Sequence, residues 1–132
     1  MGSVQVSLAR QVDIALEKMG AELQGMTAGT IVLQIREDTV GKFGVRHLPV
    51  DCGPSAQEYS GMTSSHVLSL RKMAVEALKH KKIWTHGEIS YDFALKNGKV
   101  FLSVQFESNY NMANMMFRLA PKIRDRKEAA SE

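Results

Sequence analysis

The chain has little cysteine and no long apolar run, and both absences limit where it can act. One cysteine in 132 residues excludes a disulfide within the chain. The first twenty residues are interrupted too often by charged side chains to resemble a secretory leader, so we expect a reducing, cytoplasmic location. No stretch approaches the ~20 consecutive apolar residues that cross a bilayer, so we expect no membrane partner.

Signatures of common catalytic sites are also missing. The sequence has no phosphate loop, dinucleotide fingerprint, Gly-x-Ser-x-Gly elbow or His-Glu-x-x-His pair. His80 and His86 stand six residues apart, but no further Cys or His follows at ligand spacing. We therefore predict no catalytic residue, metal site or cofactor, and we favour a non-enzymatic protein without closing the question.

What is present is the composition of a globular protein, with 44% hydrophobic and 23% charged residues. The net charge of +3 is uneven along the chain. Residues 1–62 carry five Lys and Arg against seven Asp and Glu, whereas residues 63–132 carry twelve against seven. The basic C-terminal half permits an anionic partner but does not require one.

The clearest structural pattern is a hairpin around Asn97-Gly98, a dipeptide typical of type I′ turns. A two-residue turn pairs Lys96 with Lys99. It then places four apolar pairs on one face of the hairpin: Leu95–Val100, Phe93–Leu102, Tyr91–Val104 and Ile89–Phe106. The opposite face is mostly polar and places Glu88 across from Glu107. The hairpin therefore has one buried face and one wet face.

The remaining elements follow from apolar periodicity. We predict a helix from Val4 to about Gln24, with Ser3 as N-cap, Gly25 after its end and a weak last turn at Gly20. Two strands follow at residues 30–36 and 40–47, the second with Phe43 and Val45 inward and with glycines that suit a bulge. A further helix runs from Thr63 to about Lys81. A last helix after Ser108 or Asn109 carries several methionines and ends near Leu119, before Pro121.

The element order α-β-β-α-β-β-α predicts one α+β domain over residues 1–132. We expect a four-stranded antiparallel sheet with one face covered by helices. Its two helix-plus-hairpin units suggest an architectural repeat. A long loop at 48–62 and a charged, frayed tail from about residue 122 complete the prediction. No motif is specific enough to name a family.

The leading functional hypothesis is a non-enzymatic binding or adaptor protein that forms a homodimer and uses protein–protein contacts. Four short strands leave sheet edges to be paired or covered. Methionine is common on surfaces that accept several partners, although packing on the sheet is the plainer interpretation here. The candidate protein-binding residues are Met112, Met115, Met116, Phe117, Glu88 and Asp92.

Two alternatives remain open. The first is a nucleic-acid-binding regulator, in which basic side chains contact phosphates and Trp84 or Tyr110 stacks on a base. Its basic candidates are Lys79, Lys81, Lys82, Arg118, Lys122, Arg124, Arg126 and Lys127. The second is a small-ligand or enzymatic site near the 48–62 loop, with Cys52, His47 and Glu88 as candidates.

Overall fold

The computed structural model describes residues 6–48 and 61–110, together with the helical residues Met112, Ala113 and Met116. Its elements are α1 (Leu8–Lys18), α2 (Gly20–Leu23), β1 (Ala28–Arg36), β2 (Thr39–His47), α3 (Ser64–Ala77), a 3₁₀ turn (Leu78–His80), β3 (His86–Lys96) and β4 (Lys99–Ser108). Most of the predicted 48–62 loop, and the predicted tail from residue 122, lie outside the described residues.

The first helix begins later than the apolar stripe predicts. Its N-cap is Ser7, whose Oγ accepts a hydrogen bond from the backbone N–H of Arg10 at 3.2 Å. The predicted start at Val4 is therefore wrong, and Ser3 lies outside the described residues. The predicted weakness at Gly20 is confirmed, because α1 stops just before it and α2 adds a single turn. Gly25 follows with φ of 90°, the left-handed conformation common after helix ends.

Strands β1 and β2 form the first hairpin through a tight turn at Glu37-Asp38, where both residues have positive φ. Three alternating apolar side chains of β1 are buried: Ile31, Leu33 and Ile35. The pairing register shifts between Leu33 and Ile35, so β2 carries a bulge beside Gly41, as its glycines suggested.

The predicted inward direction of Phe43 and Val45 is confirmed by their pairing with Leu33 and Ile31, which are in the core. Phe43 is nevertheless 38% exposed, because β2 lies at the edge of the sheet.

Helix α3 begins after Thr63, at the predicted start of this helix. The Thr63 Oγ1 accepts from the backbone N–H of His66, and the Nδ1 of His66 accepts from the backbone N–H of Thr63 at 3.0 Å. The α-helix ends at Ala77 rather than near Lys81, and the chain continues as the 3₁₀ turn. Three side chains of its apolar stripe are buried: Val67, Leu70 and Ala74.

The second hairpin has the predicted register at every position from Lys96–Lys99 to Glu88–Glu107. Asn97 and Gly98 have φ of 51° and 74°, as a type I′ turn requires. Three inward side chains of β3, Ile89, Tyr91 and Phe93, are in the core, whereas Leu95 and the inward side chains of β4 are half-buried. The inward residues of β4 are Val100, Leu102, Val104 and Phe106.

The sheet has the order β2-β1-β3-β4 and all its pairings are antiparallel. Helices α1 and α3 contact each other and cover one face, α1 on the side of β2 and α3 on the side of β4. This confirms the predicted α+β fold with one helix-covered face. The predicted packing of the last helix against the sheet is not seen for Met112 and Met116, whose side chains are 69% and 50% exposed.

The two halves of the sheet are related by an approximate twofold axis between β1 and β3. A shift of 58 positions carries Gly29 to Gly87 and Ile35 to Phe93, and it exchanges the pair Gly29–Phe93 with the pair Gly87–Ile35. The same shift exchanges the two bonds that close the ladder, Leu95 N–H to Thr27 C=O and Glu37 N–H to Thr85 C=O. The predicted repeat is therefore present in the topology.

A short sequence match accompanies this repeat, and sequence inspection missed it. Residues 26–29 (Met-Thr-Ala-Gly) correspond to 84–87 (Trp-Thr-His-Gly). In both segments the large apolar side chain packs over the glycine three positions later: a Cβ atom at Gly29 would lie 2.8 Å from the Met26 terminal methyl, and one at Gly87 would lie 2.7 Å from the Trp84 ring. Each glycine therefore makes room for the side chain that closes its end of the core.

One polar contact joins the two helices to each other, and another joins α3 to the sheet. The Arg71 guanidinium donates two hydrogen bonds to the Asp13 carboxylate, at 2.9 and 3.1 Å, and Asp13 and Arg71 are themselves equivalent under the 58-position shift. These bonds hold the pKa of Asp13 below its usual value. The Tyr91 hydroxyl donates to the backbone oxygen of Ala74 at 2.8 Å, and burial raises the pKa of this phenol.

Candidate protein-binding surface

Strand β4 forms one outer edge of the sheet, and the turn that precedes it determines which backbone groups face outward. A two-residue turn makes Lys96 and Lys99 a hydrogen-bonded pair, and bonded pairs recur at every second residue. The bond from the N–H of Asn109 to the C=O of His86 continues this alternation at the far end. The intervening residues therefore direct their N–H and C=O groups away from the sheet: Val100, Leu102, Val104 and Phe106.

Nothing within β4 interrupts this edge. Its ladder with β3 runs without a register shift from Lys99 to Ser108, and the strand contains neither glycine nor proline. No strand of the described ranges 6–48 and 61–110 pairs with its outer side. Long, regular edge strands of this kind are templates for pairing with another chain.

Strand β2, at the opposite edge, is much less regular. It contains a bulge and the glycines Gly41 and Gly44, and it carries the exposed side chains Lys42 and Arg46. Bulges and charges are features that discourage pairing between sheet edges. The two edges are equivalent in the topology, yet β2 combines a bulge with exposed cations, whereas β4 has no bulge and carries its two charges near its ends.

The sheet face opposite α1 and α3, called the open face below, carries two like-charge pairs at the ends of the second hairpin. Lys96 lies opposite Lys99, and Glu88 lies opposite Glu107. Like charges placed directly across two strands are destabilising. Both predicted carboxylate candidates, Glu88 and Asp92, lie on this face, and Asp92 accepts a hydrogen bond from Thr30 at 2.6 Å.

The methionine candidates are only partly placed. Met112 and Met116 are helical and exposed, whereas Met115 and Phe117 lie outside the described residues. Exposed methionine side chains are compatible with a binding surface, and they follow directly after β4 in the chain.

Three of the residues predicted to bind nucleic acid, Lys79, Lys81 and Trp84, make contacts within the fold. Trp84 is 2% exposed and packs edge-on against Phe106, so the prediction that it stacks on a base is wrong. Lys81 lies over the Trp84 ring at 4.7 Å, and Lys79 pairs with Glu76. The charges of these two lysines are therefore engaged within the fold. The basic residues from Arg118 onward lie outside the described residues.

One end of the open face contains a cleft of about 600 Å³ that sequence inspection did not find. Its charged and aromatic lining is provided by Arg36, Lys42, His86, Glu88 and Tyr110. These residues come from three strands and the segment after β4, so only the sheet order brings them together. Tyr110 is 76% exposed, unlike Trp84, and remains accessible for stacking.

The proposed grouping of Cys52, His47 and Glu88 is not formed. His47 pairs with Gly29 on the helix-covered face, whereas Glu88 is on the open face near the other end of the sheet. The His47 ring contacts Glu22 at 2.7 Å instead, and Cys52 lies outside the described residues. In residues 6–48 and 61–110, no three His, Cys, Asp or Glu side chains cluster as metal ligands would.

No helix in the described part of the chain is both long enough and apolar enough to span a membrane. Comparison of the chain with protein-family models, with curated proteins and with solved structures finds no match in any of the three.

Proposed function

We propose that the chain is a small, non-enzymatic, cytoplasmic binding or adaptor protein that acts through protein–protein contacts, with β4 as the docking strand. The observation that carries this proposal is the outer edge of β4, regular over its whole length and unprotected by bulge, glycine or proline. A partner strand would satisfy its outward backbone groups, each added hydrogen bond contributing roughly 1 kcal/mol.

The side chains of β4 support the same conclusion. Val100, Leu102, Val104 and Phe106 rest on the core but remain half-exposed, because no further strand lies beside them in the described ranges. A strand added at this edge would bring its own side chains against them. Backbone hydrogen bonds would then give affinity and these apolar contacts would give selectivity.

The test uses two matched valines. Val104 and Val45 are half-buried, lie in the two opposite edge strands and direct their N–H groups outward. Proline at such a position removes an outward donor without breaking a bond of the sheet. Val104→Pro should abolish partner binding, whereas Val45→Pro should preserve it.

The tagged full chain and both variants would be used to capture partners from the native source, with nuclease treatment in parallel. We expect a protein that wild type and Val45→Pro retain and that Val104→Pro loses, with or without nuclease. Equal retention by all three proteins would refute docking at β4. Circular dichroism of each variant would establish that the sheet is intact.

Nucleic-acid binding is a second proposal, supported by the cleft in which Arg36, Lys42 and His86 lie beside the exposed Tyr110. Phosphate contacts through Arg36 and Lys42 would make binding fall steeply with salt. Titration of labelled single-stranded DNA and RNA, at low and at physiological salt, tests it. Arg36→Glu should weaken binding, and a lack of binding at low salt would remove the proposal.

A further inference from the structure

The second hairpin carries its like charges in an order that is complementary to itself. Along the open face of β4 the side chains run Lys99, Phe101, Ser103, Gln105 and Glu107. The strand therefore begins with a cation and ends with an anion. Reversed and placed beside itself, it would bring each cation opposite an anion.

Building on the proposed docking at β4, we propose that its partner is a second copy of this chain. The two β4 strands pair antiparallel about a twofold axis at Ser103, and the two sheets join into one of eight strands. Lys99 of each copy then lies opposite Glu107 of the other, Val100 opposite Phe106, and Leu102 opposite Val104.

Hydrogen-bond geometry restricts this arrangement strongly. Only the even-numbered residues from Val100 to Phe106 direct N–H and C=O groups outward, so even positions must pair with even positions. All of these side chains point to the helix-covered face. The helices of both copies consequently lie on the same side of the joined sheet, and the open faces form one continuous surface.

The charges select the register among those that remain. Centres at Ser103 and at Val104 give equally long overlaps. The Val104 centre places Lys99 opposite Asn109 and Glu107 opposite Phe101, with no charge paired. The Ser103 centre pairs all four charges. It also extends each like-charge pair of the hairpin into a row across four strands, in which the two cations of one copy, Lys96 and Lys99, adjoin the two anions of the other, Glu107 and Glu88.

Helix α3 provides a second contact near the axis. His66, in its first turn, reaches the backbone oxygen of Gly98 in the hairpin turn at 3.0 Å, so this side of α3 lies toward β4. Met73 follows two helical turns later on the same side and is 36% exposed. In the dimer the two Met73 side chains would approach each other above the joined β4 strands.

Charge reversal tests both the partner and the register. Lys99→Glu and Glu107→Lys each place like charges across the interface twice, and each should weaken self-association by roughly tenfold or more. Mixing the two variants creates a heterodimer with opposite charges at both contacts, so the mixture should recover nearly wild-type affinity. Within each monomer both changes turn a like-charge pair into an opposite pair, so neither should lower stability.

Sedimentation velocity of the full chain over a range of concentrations provides the measurement. Wild-type dimers, weakened single variants and recovery on mixing support the proposal. A dimer indifferent to either charge reversal would refute the register, and a dimer that survives Val104→Pro would refute the β4 interface. A wild-type monomer at all concentrations would refute self-association alone, because docking of a different protein at β4 is judged separately by the capture experiment.

Discussion

The backbone of β4 passes so close to Gly87 that a side chain at this position should destabilise the fold. A Cβ atom added there would overlap the backbone oxygen of Glu107 and come within 2.7 Å of the Trp84 ring. The methyl group can fit only if β4 moves away from β3 or the indole leaves its place in the core. Gly44, in strand β2, has no atom within 4 Å of such a Cβ and serves as the matched control.

We expect Gly87→Ala to lower the free energy of unfolding by about 3 kcal/mol, from overpacking and from disturbance of the adjoining ladder bond between Asn109 and His86. Gly44→Ala should be neutral or stabilising by up to about 1 kcal/mol, because alanine reduces the entropy of the unfolded chain. Urea unfolding followed by fluorescence of Trp84, the single tryptophan, measures both. Equal stabilities of the two variants would refute the packing described at Gly87.

Two further predictions concern the Asp13–Arg71 pair, which joins α1 to α3, and the Tyr91 hydroxyl bond, which joins the sheet to α3. Asp13→Asn should cost about 1 kcal/mol at pH 7. Arg71 lowers the folded-state pKa of Asp13, so this deficit in the free energy of unfolding should shrink as the pH falls below the unfolded pKa of 3.8, where the wild-type carboxyl also becomes protonated. Urea unfolding at pH 7 and pH 3 measures the deficit. An equal deficit at both pH values would contradict the prediction. Tyr91→Phe should cost about 1 kcal/mol through the lost bond to Ala74, and thermal unfolding should show this deficit unchanged between pH 6 and pH 9, since the raised pKa keeps the wild-type phenol protonated there.

The second hairpin was predictable residue by residue because its information is local. A turn dipeptide and a period of two fix which residues pair, and the structure confirms each pair. The start of α1 was not, because Ser3 and Ser7 both precede residues of one apolar stripe and sequence alone gives no preference between two serines. Capping geometry decides in favour of Ser7.

The sheet order could not be predicted from the sequence, because the pairing of β1 with β3 joins residues far apart in the chain. This pairing assembles the cleft and places Glu88 far from His47. One sequence feature does indicate the burial of Trp84, namely the match between segments 26–29 and 84–87. A large apolar residue three positions before a strand glycine marks the end of the core in both halves.

The twofold relation between the halves also bears on the outer edge of β4, which no other strand of residues 6–48 and 61–110 pairs with. Strands β2 and β4 occupy equivalent positions and face the same risk of unwanted pairing. Strand β2 meets that risk with a bulge, two glycines and exposed cations. Strand β4 has neither a bulge nor a glycine. It keeps its cation, Lys99, and its anion, Glu107, at opposite ends, and each faces a like charge on β3. An arrangement that is unfavourable within one hairpin becomes favourable when a reversed copy lies beside it, and this is the strongest physical reason to regard β4 as an interface.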